Sequence, residues 1–279
     1  MITESPLKPG CAWTTRTYAV RLARNRDEVQ AAQALRFAVF NLELKEGLDR
    51  SYASGLDSDA FDEICDHLII TDTNSGKVMG TYRLLLDCIA DKTLGFYSAK
   101  RFDLSRLRET LAPGRILEVG RSCIHREYRR RPTLSLLWHS IAQYSVANNV
   151  RYILGSPSIL TKDPLEVSRY LMLLKDMGFL NDLGICPIDE FHRIPIVQNI
   201  KIDNPKELFK KLPPLFQGYL DMGAKVCGLP AVNSGFGTTI FFIVLDLENM
   251  NPWYKKRFLG DLQNQDLTSF KMTNKHAYT

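Results

Sequence analysis

The sequence has no apolar run long enough to cross a bilayer; the longest, Ile240 to Leu245, suits a buried strand. Its opening stretch, Met1 to Gly10, is polar and proline-bearing, without the basic-then-apolar order of an export signal. Its six cysteines (Cys11, Cys65, Cys88, Cys123, Cys186, Cys227) are scattered and show no paired spacing of the kind that binds zinc. These absences lead us to expect reduced thiols in a cytoplasmic protein with no metal. There is no internal repeat, no low-complexity tract and no convincing linker. Charge of one sign is also lacking, since 36 Lys and Arg meet 31 Asp and Glu for a formal net charge of +5. That excess is too mild to require nucleic acid. It favours an acidic protein or an anionic membrane surface as partner.

What is present is ordinary for a globular chain: 279 residues, 45% hydrophobic and 24% charged. The expected organisation is one α/β domain over residues 18–259. A tail or edge strand precedes it at 1–17, and a polar, loose tail follows at 260–279. Tyr18 to Leu22 reads as a strand. Asn25-Arg-Asp-Glu28 resembles a capping box that opens a helix with the stripe Val29, Ala32, Leu35, Val39 and Leu42. A loop rich in Asp, Ser and Gly follows from Lys45 to about Ala60. His67 to Thr71 and Val78 to Leu86 are strands joined by the hairpin signal Asn74-Ser75-Gly76. Ile116 to Ile124 is a strand, Pro132 begins a helix, and Arg151 to Ser156 is a strand again, a β-α-β pattern. Asp163 or Pro164 opens another helix stopped by Gly178, Leu215, Tyr219, Met222 and Val226 form a helical stripe, and Thr238 to Leu247 is a final strand.

Chemistry concentrates in Ile116-Leu-Glu-Val-Gly-Arg-Ser-Cys-Ile-His125 and the basic turn that follows it. A strand feeding a basic turn and then a helix N-terminus makes an anion site, because unpaired backbone N–H groups and the helix dipole point the same way. Arg129, Arg130 and Arg131 add charge there; as arginines alone they would read as a solvated loop. Glu118 and Arg121 fall on opposite faces by strict alternation, unless a β-bulge at Gly120 restores them to one face. Arg83 lies inside an apolar strand, where a buried guanidinium needs a carboxylate from Glu118, Asp62 or Asp66. Arg36 interrupts an apolar helix stretch, with Phe40 one turn later on the same side. Three such charges suggest a buried polar network. Cys123 and His125 share a strand face, which permits a Cys–His nucleophile, although cysteines in strands are more often buried small hydrophobes.

In order, Arg36-Phe-Ala-Val-Phe40, Phe61-Asp62 with Asp66, Arg83 and Glu118-Val-Gly-Arg121 resemble the set shared by acyl-homoserine-lactone synthases and relatives in the GNAT superfamily. The chain is more similar to bacterial N-acyltransferases of ornithine-lipid synthesis, also called putative hemolysins. The residues concerned are Glu118 to His125, Leu136-Leu-Trp138, Gly155-Ser156, Pro213 to Tyr219, Gly223 to Gly228, Asn251-Pro-Trp-Tyr254 and Arg257-Phe258. The likeness spans about Tyr18 to Phe258 and departs in two places. The glycine usual in the GNAT phosphate loop is missing from Arg129 to Thr133, and Asn233 and Ile240 stand where the lipid-synthesis family tends to have aspartates.

The resemblance implies a GNAT fold, a central mixed twisted sheet with helices on both faces. It implies direct attack by an acceptor amine on an acyl thioester, with Glu118 as base or as partner of Arg83 and Arg121. Backbone N–H groups near Cys123 and Ile124 would meet the oxyanion, with His125, Arg129, Arg130 and Thr133 toward the donor's phosphate. Arg36, Phe40, Asp62, Asp66 and Ser122 would lie toward the substrate. The donor would be acyl carrier protein carrying a (3-hydroxy) fatty acyl phosphopantetheine thioester, or acyl-CoA, with no tightly bound cofactor. The acceptor would be the α-amine of an amino acid, ornithine by preference and glycine or another as options, with peripheral contact to the inner membrane surface and no nucleic acid. The alternatives are an acyl-homoserine-lactone synthase-like enzyme, or a non-catalytic acyl- or carrier-binding or membrane-peripheral protein.

Overall fold

The computed structural model describes residues 13–14, 18–45, 47, 49–129, 131–189, 192–233, 237–260, 262 and 266–272. Its strands are β1 (Trp13–Thr14), β2 (Tyr18–Leu22), β3 (Asp66–Asp72), β4 (Val78–Leu86), β5 (Phe102–Asp103), β6 (Arg115–Ile124), β7 (Val150–Gly155), β8 (Ser158–Ile159), β9 (Cys186–Pro187), β10 (Lys225–Val226), β11 (Ala231–Asn233), β12 (Thr238–Ile240) and β13 (Ile243–Asp246). The α-helices are α1 (Arg26–Arg36), α2 (Ser51–Ser54), α3 (Asp87–Ala90), α4 (Leu107–Thr110), α5 (Arg131–Ala147), α6 (Pro164–Asp176), α7 (Pro205–Lys210), α8 (Pro214–Met222) and α9 (Pro252–Leu259). Among the described residues, no helix is long and apolar enough to cross a membrane. The chain groups into two compact units. One comprises Met1–Leu94, Leu117–Val150 and Lys256–Thr279; the other comprises Gly95–Ile116 and Arg151–Lys255.

In the first unit, β1, β2, β3, β4 and β6 pair in that order, each antiparallel to the next. Register sets His67 opposite Arg83, and Arg83 opposite Gly120. Directly opposed residues point to the same side, so these positions share one face. Ala32, Leu35 and Val39 bury that face together with Ile69, Val78 and Cys123. On the other face Tyr144 of α5 donates its hydroxyl to Asp66 at 2.8 Å. Helix α1 begins as the capping motif predicts, with Asn25 Oδ1 accepting from the Glu28 N–H at 3.0 Å. The reciprocal half differs: Glu28 accepts from the Arg24 N–H at 2.8 Å and grips Arg21 at 2.6 and 2.7 Å.

The predicted stripe of α1 fails at its last member. The helix widens into a π-helix over Phe37–Glu43, and the Leu44 N–H donates to the Val39 carbonyl five residues back. The wider turn rotates the following residues, so Leu42 is 58% exposed and Asn41 is buried in its place. The tail expected to be loose docks in part. Phe270 is buried, and Asn148, just past the end of α5, donates to its carbonyl at 2.9 Å and accepts from the Met272 N–H at 2.9 Å.

In the second unit, β13 lies antiparallel between β7 and β10, and a smaller sheet runs β11, β12, β8. The single strand expected over Thr238 to Leu247 is therefore two. It breaks at Phe241–Phe242, which are buried, so that β12 and β13 serve different sheets. Gly223 and Gly228 both hold positive φ, 106° and 107°, and a Cβ at Gly228 would lie 1.8 Å from the Ile185 carbonyl oxygen. The Gly223 to Gly228 motif is thus explained by backbone geometry and close approach.

Candidate functional site

The site begins with the short 3-10 helix Ala60–Glu63, whose cap supplies its carboxylates. Asp59 accepts from the Phe61 N–H at 2.9 Å, while Asp62 accepts from the Asp59 N–H at 3.0 Å. Their remaining oxygen capacity faces guanidinium groups on α1 and β4. Arg36, wholly buried, donates from Nη2 to Asp62 at 2.7 and 2.9 Å and from Nε to Asp57 at 3.0 Å. Arg83 donates from Nη1 to Asp59 at 2.6 Å and to Asp62 at 3.3 Å. Arg121 grips both oxygens of Asp57. Gln33 adds a bond to Asp62 at 3.2 Å, and His67 Nε2 lies 3.2 Å from the Asp62 carbonyl.

Three guanidinium groups thus meet three carboxylates in a largely buried space, with Arg121 and Asp59 at its partly exposed edge. Burial alone would raise the Asp62 pKa; the charge and hydrogen bonds of Arg36 and the charge of Arg83 overcome it and hold that carboxyl well below the usual range. Two aromatic rings complete the enclosure. The Arg121 guanidinium carbon stands 4.8 Å from the Phe40 ring centre, and that of Arg83 stands 5.5 Å from the Phe61 ring.

A β-bulge brings Arg121 here. Arg83 opposes Gly120 and Thr81 opposes Cys123, so Tyr82 alone faces both Arg121 and Ser122. The left-handed backbone that a bulge can use is at Arg121 itself, φ 50°, one residue beyond the expected Gly120. Register places Glu118 and Arg83 on the α1 face of the sheet, and Arg121 reaches that face through its bonds to Asp57 and its contact with Phe40. Glu118 is 5% exposed and stands opposite Leu85.

Arg83 takes Asp59 and Asp62, the second of them a partner that the sequence suggested. Asp66 points to the α5 face, bonded to Tyr144, because β3 alternates between His67 and its neighbour. Sequence reasoning missed Asp57 and Asp59, which lie in the segment read only as a loop rich in Asp, Ser and Gly. Three buried cations with too few named anions were the available signal.

The basic turn is organised differently from a set of open cations. Arg129 pairs with both Glu43 oxygens at 2.6 Å and donates from Nε to the Ile124 carbonyl at 2.9 Å. Hydrogen bonding from Arg129 lowers the Glu43 pKa. His125 and Arg126 line a cavity of about 440 Å³ with Ala38, Val39, Leu42 and Glu43. Thr133 is buried and donates to the Tyr128 carbonyl at 2.7 Å. Ser122 is half-buried in the bulge, and Arg130 lies outside the described residues. Cys123 belongs to the apolar cluster under α1, and burial pushes its thiol up to about 12. That shift disfavours the thiolate a Cys–His nucleophile would need.

A model described as an acetyltransferase (GNAT) domain matches residues 35–139, which contain this network. The chain is 35% identical to L-ornithine N(alpha)-acyltransferase of Brucella abortus (strain 2308), over 84% of this chain and 86% of that one. It is 33% identical to the protein of that name from Rhizobium meliloti (strain 1021), over 86% and 84%. Among solved structures it is similar to FeeM, an N-acyl amino acid synthase from uncultured soil microbes, with TM-score 0.47 and 11% identity, over 89% of this chain and 98% of that one. Identity at this level across most of both partners makes the α1-face network part of a GNAT acyltransferase, and the chain belongs to the L-ornithine N(alpha)-acyltransferase family.

Proposed function

We propose that the chain moves a fatty acyl group from a thioester onto the α-amino group of L-ornithine, giving an N-acyl amino acid. The observation that carries this reading is the 35% identity to the Brucella abortus ornithine enzyme over 84% of the chain. A protonated amine cannot attack a thioester, so a base must take its proton directly or through water. Glu118 is suited to that role: a carboxylate on the α1 face of β6, 5% exposed. Arg83 and Arg121 then act as positioning residues. Backbone N–H groups near Cys123 and Ile124 would meet the developing oxyanion.

The donor's phosphate would approach the N-terminal end of α5, where Arg126 and His125 face the cavity and Arg129 would exchange Glu43 for phosphate oxygens. That exchange needs no glycine loop. It suits a phosphopantetheine arm on acyl carrier protein, with acyl-CoA as the alternative donor. Ile240 pairs with Ala231 and Ser158 in the small sheet and is buried, while Asn233 opposes Thr238. The departure at Ile240 is therefore a packing change within a hairpin.

The test is purified protein with acyl carrier protein loaded with a long-chain 3-hydroxy acid, a panel of amino acids, and mass spectrometry. We expect the ornithine conjugate to dominate. Acylation of none at any chain length would overturn the transferase reading; preference for glycine would overturn the acceptor alone. In the same assay Cys123→Ala will retain turnover, since the thiol fills apolar space under α1.

A further inference from the structure

Glu43 is an internal anion set against the basic turn that follows β6. It is the last residue of the π-helix, and with Leu42, Ala38 and Val39 it lines the same cavity as His125 and Arg126. Its two carboxylate oxygens take both Nη atoms of Arg129, each at 2.6 Å. That two-point edge is the one a guanidinium offers to carboxylate and phosphate alike. Hydrogen bonding and charge from Arg129, with the charge of Arg126 behind them, hold the Glu43 pKa below its ordinary value. The pair is not what shapes the turn. The His125 N–H donates to the Met79 carbonyl at 2.8 Å, and the Tyr128 N–H to the His125 carbonyl at 2.8 Å. Arg129 Nε donates to the Ile124 carbonyl at 2.9 Å, and the Thr133 hydroxyl to the Tyr128 carbonyl at 2.7 Å. The side chains of Arg129 and Glu43 are 40% and 30% exposed, and an ion pair so exposed adds little to stability.

A widened helix that presents a carboxylate to a cation beside a cavity, while adding little to stability, suits a competitor for that cation. We infer that Glu43 gates the donor cavity: it occupies the phosphate-binding edge of Arg129 and yields it to a donor whose phosphate makes the same two bonds. The inference rests on the placing of the donor's phosphate at this turn. It adds a defined sign, since every donor must break the Glu43 pair before it binds, and loss of that pair must raise affinity. Tethered at contact distance, the carboxylate competes at high effective concentration, which disfavours free inorganic phosphate against a donor that also binds by its arm. The group admitted is the phosphate of a phosphopantetheine arm, which coenzyme A and acyl carrier protein share.

The experiment is calorimetric titration of the full chain with coenzyme A and, separately, with acyl carrier protein bearing its phosphopantetheine arm. We expect Glu43→Gln to tighten binding about fivefold, the upper end of what an exposed ion pair contributes, at an unchanged melting temperature. Arg129→Gln will weaken binding, and Glu43→Gln added to it will give no further gain. Glu127→Gln removes a carboxylate of the same turn that is not bonded to Arg129, and will change affinity by less than Glu43→Gln does. Tightening for one of the two probes alone supports the gate and names the donor it serves. Affinity that is weakened or unchanged in Glu43→Gln would overturn the inference. So would an equal gain with Arg129 already removed, which is a general effect of charge. A wild-type chain that binds neither probe would remove the donor site and the gate together. No arm requires turnover or an acceptor, so failure here and failure of the ornithine reading are separable.

Discussion

Asparagine in place of Asp62 will lower the unfolding free energy by about 3–5 kcal/mol, the cost of stripping a buried charge of its partner. Asp62 accepts from Arg36, Arg83 and Gln33 and also caps its own 3-10 helix through the Asp59 N–H. Its loss leaves three guanidinium groups facing two carboxylates. Asp59→Asn will cost less, because that carboxylate has 8% side-chain exposure and pairs with Arg83 alone. Urea unfolding of the two variants measures the difference. The pH dependence has a fixed sign. The Asp62 pKa is depressed in the folded state, so the unfolded chain binds the proton first as pH falls below its ordinary value near 3.8. Its contribution is complete above that value and drains away as pH falls further toward the folded pKa. The wild type will therefore lose stability steeply below about pH 4, and Asp62→Asn will show a flatter acid limb.

The network was legible in outline because burial of charge contradicts its surroundings. Arg36 and Arg83 stand in apolar stretches, and that conflict announces partners before any coordinates exist. Of the partners, Asp62 was legible and the other two were not. Asp57 and Asp59 lie in a segment whose composition reads as solvated, and only tertiary contact turns it inward. The reach of Arg121 was half legible: alternation showed that a bulge was needed, and glycine suggested its place, yet Arg121 takes the left-handed backbone itself. Periodicity failed at Leu42 for a related reason. A π-helix changes the angular step per residue, and nothing in the apolar pattern marks where that begins. The elements of the sheet were read well because their strands are long, apolar and bounded by hairpin and capping signals. The Phe241–Phe242 break was missed because an apolar run looks the same whether it serves one sheet or two.

Glu118→Gln will reduce kcat by about 10²- to 10⁴-fold, the range that positioned acid–base groups supply, while leaving the melting temperature close to that of the wild type. The substitution keeps the side chain's shape and half its hydrogen-bonding capacity, so the strand can stay packed against its neighbours. What it removes is the carboxylate's capacity to take a proton from the acceptor amine. The pH profile distinguishes this role from a purely structural one. With Glu118 present, kcat/KM falls on the acid side as the base is protonated; with glutamine in its place that limb disappears. The residual rate should instead climb with pH as the acceptor amine loses its own proton in solution. A structural Glu118 would give the opposite pair of results. The melting temperature would drop, because a buried partner of positive charge had been lost, and the surviving folded enzyme would keep the wild-type profile.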